Sequence, residues 1–91
     1  MLKEPLTFNI QSSTMKRYAG LSGDAGVYAF SSGKDYILVQ FADRSLYRYD
    51  YKTPGKVHVE NMKKLAEKGR GLTTYINKYV RENYAGKENV K

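Results

Sequence analysis

Apolar and polar positions alternate through the middle of this chain and recur at helical spacing in its last third. Tyr36-Ile37-Leu38-Val39-Gln40-Phe41 is the strongest β-strand pattern, and Ser45-Leu46-Tyr47-Arg48-Tyr49-Asp50-Tyr51 alternates with period two. Val27-Tyr28-Ala29-Phe30 is also β-prone. Ser31-Ser32-Gly33-Lys34-Asp35 and Ala42-Asp43-Arg44 read as turns between these runs. The pattern predicts an antiparallel meander of about three strands. A two-residue loop at Asp43-Arg44 would put Arg48 on the face of Ile37, Val39 and Phe41. A three-residue loop, Ala42-Asp43-Arg44, pairs Val39 with Tyr47 and Ile37 with Tyr49 and gathers the large apolar groups on one face. A one-residue slip inverts every side chain, so the three-residue loop is favoured. It asks Arg44 for a left-handed backbone, where glycine is easier.

Two helices follow. Thr53 is placed to cap the first and Pro54 to occupy its first turn. His58, Met62, Leu65 and Ala66 then share one face, and Gly69 is a natural stop. After Arg70-Gly71 a second helix is expected from about Leu72 to Asn83, with Leu72, Tyr75, Ile76, Tyr79 and Val80 as its buried stripe. The fold class is therefore α+β: a meander followed by two C-terminal helices packed on one face of the sheet. Residues 1–91 make one domain. Its core is expected over 27–84, with a frayed tail over 85–91 and an N-terminal extension over 1–26. In that extension Leu6, Phe8 and Ile10 alternate, Met15 to Tyr18 suits a short strand, and Gly20 to Gly26 is loop-like.

Charge sharpens the picture. The net formal charge is +7, and the stretch from Arg44 to Arg81 holds ten Lys or Arg against Asp50, Glu60 and Glu67. The excess therefore lies in one half, which suits an anionic partner such as nucleic acid; solubility alone would also account for it. There is no cysteine, which excludes disulfides and thiolate metal sites. Met1-Leu2-Lys3-Glu4-Pro5 does not read as a secretory signal, and no run approaches the roughly 18 apolar residues of a membrane span. A cytoplasmic, non-membrane protein is expected.

Catalysis is poorly provided for. His58 is the only histidine and lies on an apolar helical face, where packing or capping explains it. Asp24, Asp35, Asp43 and Asp50 fall at turns or strand ends. Nothing has the spacing of a metal site or a nucleophile motif, so no cofactor, metal or catalytic residue is assigned. Gly69-Arg70-Gly71 lacks phosphate-loop spacing, yet the following helix would offer free N–H groups to an anion. The nine tyrosines stand out. Tyr47, Tyr49, Tyr75 and Tyr79 are expected to serve the core, leaving Tyr51 and Tyr84 for exposure.

Ile37-x-Val39-x-Phe41, the central Tyr47-Arg48-Tyr49, the helix from Pro54, Lys68-Gly69-Arg70, Ile76 and Tyr84 occur in that order. Over about Phe30 to Tyr84 the chain thus resembles the KTSC domain, found at the C-terminus of some lysyl-tRNA synthetases and as small free-standing bacterial proteins. The family's usual turn glycine appears here as Arg44. The resemblance implies RNA binding through the company that domain keeps, and implies no catalytic activity. The leading expectation is a non-catalytic, RNA-binding module with little sequence preference. Arg44, Arg48, Lys52, Lys68, Arg70 and Lys78 would meet phosphates and Tyr51 would stack on a base. The alternative is a protein-interaction module, pairing with itself or an acidic partner through a sheet edge.

Overall fold

The computed structural model describes residues 15–20 and 26–89. The Leu6–Ile10 alternation and most of the Gly20–Gly26 loop lie outside them. Five strands form one antiparallel sheet in sequential order: β1 (Lys16–Arg17), β2 (Val27–Ser32), β3 (Tyr36–Phe41), β4 (Ser45–Asp50) and β5 (Gly86–Asn89). Between β4 and β5 come α1 (Lys56–Lys68) and α2 (Leu72–Tyr75), the latter continuing into a π-helical turn over Ile76–Val80. The class is α+β with an antiparallel sheet and two helices, as the pattern predicts; among the described residues the sheet has five strands against about three expected, β1 lying within the Met15–Tyr18 segment read as a short strand.

The β3–β4 hairpin takes the three-residue loop. Val39 pairs with Tyr47 and Ile37 with Tyr49, and the Arg44 amide donates to the Phe41 carbonyl at 2.8 Å. Arg44 is left-handed, with φ 77°. Asp43 secures the turn, its Oδ1 accepting from the Ser45 amide at 3.0 Å and the Ser45 hydroxyl at 2.7 Å. Those two bonds hold the Asp43 carboxyl below the ordinary carboxylate range. A left-handed non-glycine residue is strained by about 1–2 kcal/mol, partly offset because glycine is looser when unfolded. Arg44→Gly should therefore raise stability by up to about 1 kcal/mol, seen as a higher urea midpoint at unchanged slope.

One face of the sheet carries Val27, Phe30, Ile37, Val39 and Tyr49, and the helices cover it with Val59, Met62, Ala66, Leu72, Ile76 and Val80. The Tyr18 hydroxyl accepts from the Leu72 amide at 2.9 Å, tying the segment after β1 to the start of α2. On the opposite face Ala29 and Leu38 are also buried, and the Arg48 guanidinium lies 4.4 Å from the centre of the Tyr36 ring.

Three expectations are corrected. The first helix starts at Lys56, not at Pro54. Asp50 explains the delay: its Oδ1 accepts from the Lys52 and Thr53 amides, both at 3.0 Å, and its carbonyl accepts from Gly55. That turn holds Thr53 and Pro54 outside the helix, and Gly55 takes the cap position. The buried face of α1 is Val59, Met62 and Ala66, with His58 only half-buried. The tail is not frayed over 86–89, because β5 pairs there with β4 from Arg48 to Ser45. Among the described residues both edge strands are short and carry cations, Lys16-Arg17 in β1 and Lys87 in β5, a composition that discourages strand addition.

Candidate nucleic-acid interface

Leu72, Ile76 and Val80 are buried at every fourth position of the second helical segment. A π-helical turn closes i to i+5 bonds and is wider than an α turn. The widening keeps Val80 inward and swings Tyr79 away from the core, leaving it 55% exposed. Tyr79 was expected on the buried stripe; the change of helical period overturns that.

Tyr79 does not stand alone. Its ring centre is 4.8 Å from that of Tyr75 and 6.4 Å from that of His58, the His58 ring inclined by only 30°. The Tyr75 hydroxyl is 2.7 Å from His58 Nδ1 and accepts from Asn61 Nδ2 at 3.3 Å. Tyr75 and His58 are thus fixed, and α1 and the second helix are joined through them. The Lys78 ammonium sits 5.8 Å from the Tyr79 ring centre, and Val57, beside His58 in sequence, is exposed. The result is a ring surface, open on one side and flanked by a cation, the arrangement used to stack an unpaired base.

The residues expected to bind nucleic acid are distributed around the molecule. Lys78 belongs to this ring surface. Lys68 and Arg70 are exposed at the corner between α1 and α2, Lys52 is exposed after β4, and Arg44 is exposed at the β3–β4 turn. Arg48 lies on the sheet face away from the helices and is engaged, its Nε 3.3 Å from Asp50 Oδ2. Tyr51 is half-buried rather than free. Its hydroxyl donates to Glu60 Oε2 at 2.6 Å, and the Lys56 and Lys63 ammoniums lie 5.7 and 5.8 Å from its ring centre. Donating to a carboxylate raises the Tyr51 pKa and lowers that of Glu60. Tyr84 is likewise half-buried, packed edge-on to Tyr47 at 4.9 Å.

After Gly69-Arg70-Gly71 the Leu72 amide, one of the N–H groups that could face an anion there, donates instead to the Tyr18 hydroxyl. The rings that do form a surface were partly visible: Tyr75 and Tyr79 are four apart, with Lys78 between them and His58 as the single imidazole. No group of His, Asp or Glu among the described residues is arranged to hold a metal ion. No helix among them is long and apolar enough to cross a membrane. No family model, curated protein or solved structure matches the chain.

Proposed function

We propose that this chain is a non-catalytic, KTSC-like module that holds single-stranded nucleic acid, RNA foremost, with little sequence preference. The observation that carries the reading is Tyr79, exposed beside Tyr75 and His58 with Lys78 at its edge. A base stacks on Tyr79, and its flanking phosphates run toward Lys78 and the Lys68–Arg70 corner. Lys52 and Arg44 extend the positive field, while Arg48, on the far face of the sheet, takes no direct part. Tyr79 replaces Tyr51 as the stacking residue, because Tyr51 is held by Glu60.

The test is the anisotropy of a labelled, mixed-sequence single-stranded RNA at about 50 and about 200 mM salt. Affinity should fall steeply between the two, as phosphate contacts release counterions. Tyr79→Ala should weaken binding by about 5- to 150-fold, the range for loss of one stacked base at about 1–3 kcal/mol. Lys68→Ala with Arg70→Ala should flatten the logarithmic salt slope by about 1.4, since each single-strand phosphate contact contributes about 0.7. Absence of binding at low salt, a flat salt response, or an unaltered Tyr79→Ala affinity would each refute the reading.

A further inference from the structure

His58 is the single histidine of the chain, and its ring lies beside the exposed Tyr79. Imidazole is the side chain whose ordinary titration falls between about pH 5 and about pH 8, and there is no cysteine to share that window. A change of side-chain charge near neutrality is therefore expected at one place, and that place is the ring surface.

The hydrogen bonds around His58 fix where its proton lies. Asn61 Nδ2 donates to the Tyr75 oxygen at 3.3 Å, which leaves the Tyr75 hydroxyl proton for His58 Nδ1, 2.7 Å away. A neutral imidazole that accepts at Nδ1 carries its hydrogen on Nε2. Protonation puts a hydrogen on Nδ1 as well, and the bond reverses: Nδ1 donates and the Tyr75 oxygen accepts. That oxygen has two lone pairs, one for His58 and one for Asn61. Its own hydrogen then turns toward solvent, Tyr75 being only half-buried. Both charge states are thus accommodated with the heavy atoms in place.

The charge is not answered from within. Among the described residues, the hydrogen bonds and ring contacts of His58 are those with Tyr75 and Tyr79. These two phenols are the titratable groups that face it from the second helical segment, with the Lys78 ammonium 5.8 Å from the Tyr79 ring centre. Strands β3 and β4, against which α1 packs, bring no ion pair or ring contact to it, and on α1 itself Asn61 is the polar neighbour. No carboxylate among these groups holds an imidazolium. A phosphate placed near both His58 and Lys78 would answer two cations at once.

Resting on the strand-binding reading above, we infer that His58 is a proton-dependent contact to the phosphates of that strand, so that the ring surface tightens on single-stranded RNA as pH falls. The sign follows from linkage. RNA prefers the protonated ring, so proton uptake and RNA binding promote one another by the same factor. The size is that of one added cation, about 0.7 in the logarithmic salt slope. Affinity should therefore rise by up to about 8-fold in about 50 mM salt and about 3-fold in about 200 mM salt between about pH 8 and about pH 5.5.

The experiment measures anisotropy of the labelled single-stranded RNA with the full chain across that pH range, at both salt concentrations. In parallel, the His58 ring signals are followed by NMR with and without RNA. The parent should bind more tightly and with a steeper salt slope at the acid end, and the imidazole should titrate at higher pH when RNA is present. His58→Gln, which keeps a polar side chain but cannot gain the charge, should flatten the pH profile. Should that variant fold poorly, the ring titration of the parent decides alone. The inference is overturned if the parent binds equally at both ends of the range, if His58→Gln keeps the parent's pH profile, or if RNA leaves the imidazole titration unmoved. RNA binding that depends on Tyr79 but not on pH sinks this inference and leaves the strand-binding reading standing. Absence of RNA binding at every pH sinks both.

Discussion

Leu72→Ala should remove about 3–5 kcal/mol of folding stability, measured as the loss of urea midpoint in a two-state transition. Leu72 is 0% exposed and is the first residue of α2. Its side chain belongs to the cluster that joins the helices to Val27, Phe30 and Tyr49 of the sheet. Its amide donates to the Tyr18 hydroxyl, so the same residue anchors the segment after β1. Shortening the side chain leaves a cavity where three parts of the molecule meet, and the surrounding backbone is too constrained to collapse into it. Domains of this size hold only about 5–15 kcal/mol in reserve, so a loss this large should lower the melting temperature by more than about 10 °C. A cost below about 1 kcal/mol would mean that α2 is not docked as described.

Gly55→Ala should cost about 2–3 kcal/mol, although nothing stands in the way of the added methyl group. The nearest atom to such a Cβ is the Tyr51 carbonyl oxygen at 3.9 Å. The backbone is the obstacle. Gly55 has φ 115° and ψ 163°, a region open almost only to glycine. Its amide donates to the Asp50 carbonyl and its own carbonyl accepts from Val59, so the residue cannot rotate away without releasing either the turn after β4 or the first turn of α1. Gly26→Ala provides the contrast, since its Cβ would lie 2.7 Å from the Thr73 methyl and crowding would be the difficulty there. Chemical denaturation of Gly55→Ala measures the effect; a variant as stable as the parent would show that the turn can be rebuilt without a positive φ.

The hairpin was legible because its two strands constrain one another. The alternations of Ile37–Phe41 and Leu46–Tyr51 admit only one register that keeps Arg48 off the core, and the strain that register implied at Arg44 is present in the backbone. Strand β5 was hidden for the opposite reason. Gly86-Lys87-Glu88-Asn89 has no apolar alternation, and its order derives from backbone bonds to β4, a partner some forty positions earlier. Tyr79 was misplaced because an α period was assumed across Ile76–Val80, and no glycine or proline interrupts the sequence there to signal a wider turn. The delayed start of α1 came from Asp50, whose side chain organises a turn that local helix rules do not consider.

The pairing of cations with tyrosine rings has a consequence for association. Arg17 rests on Tyr28, Lys56 and Lys63 on Tyr51, Lys78 on Tyr79 and Lys87 on Tyr47. A free lysine or arginine loses up to about 2 kcal/mol of rotamer entropy when a partner immobilises it. These side chains give up part of that freedom on folding, each settling above a π face at modest gain. Their charges consequently stand as a partly rigid lattice before any polyanion arrives, and the entropic penalty of docking falls accordingly.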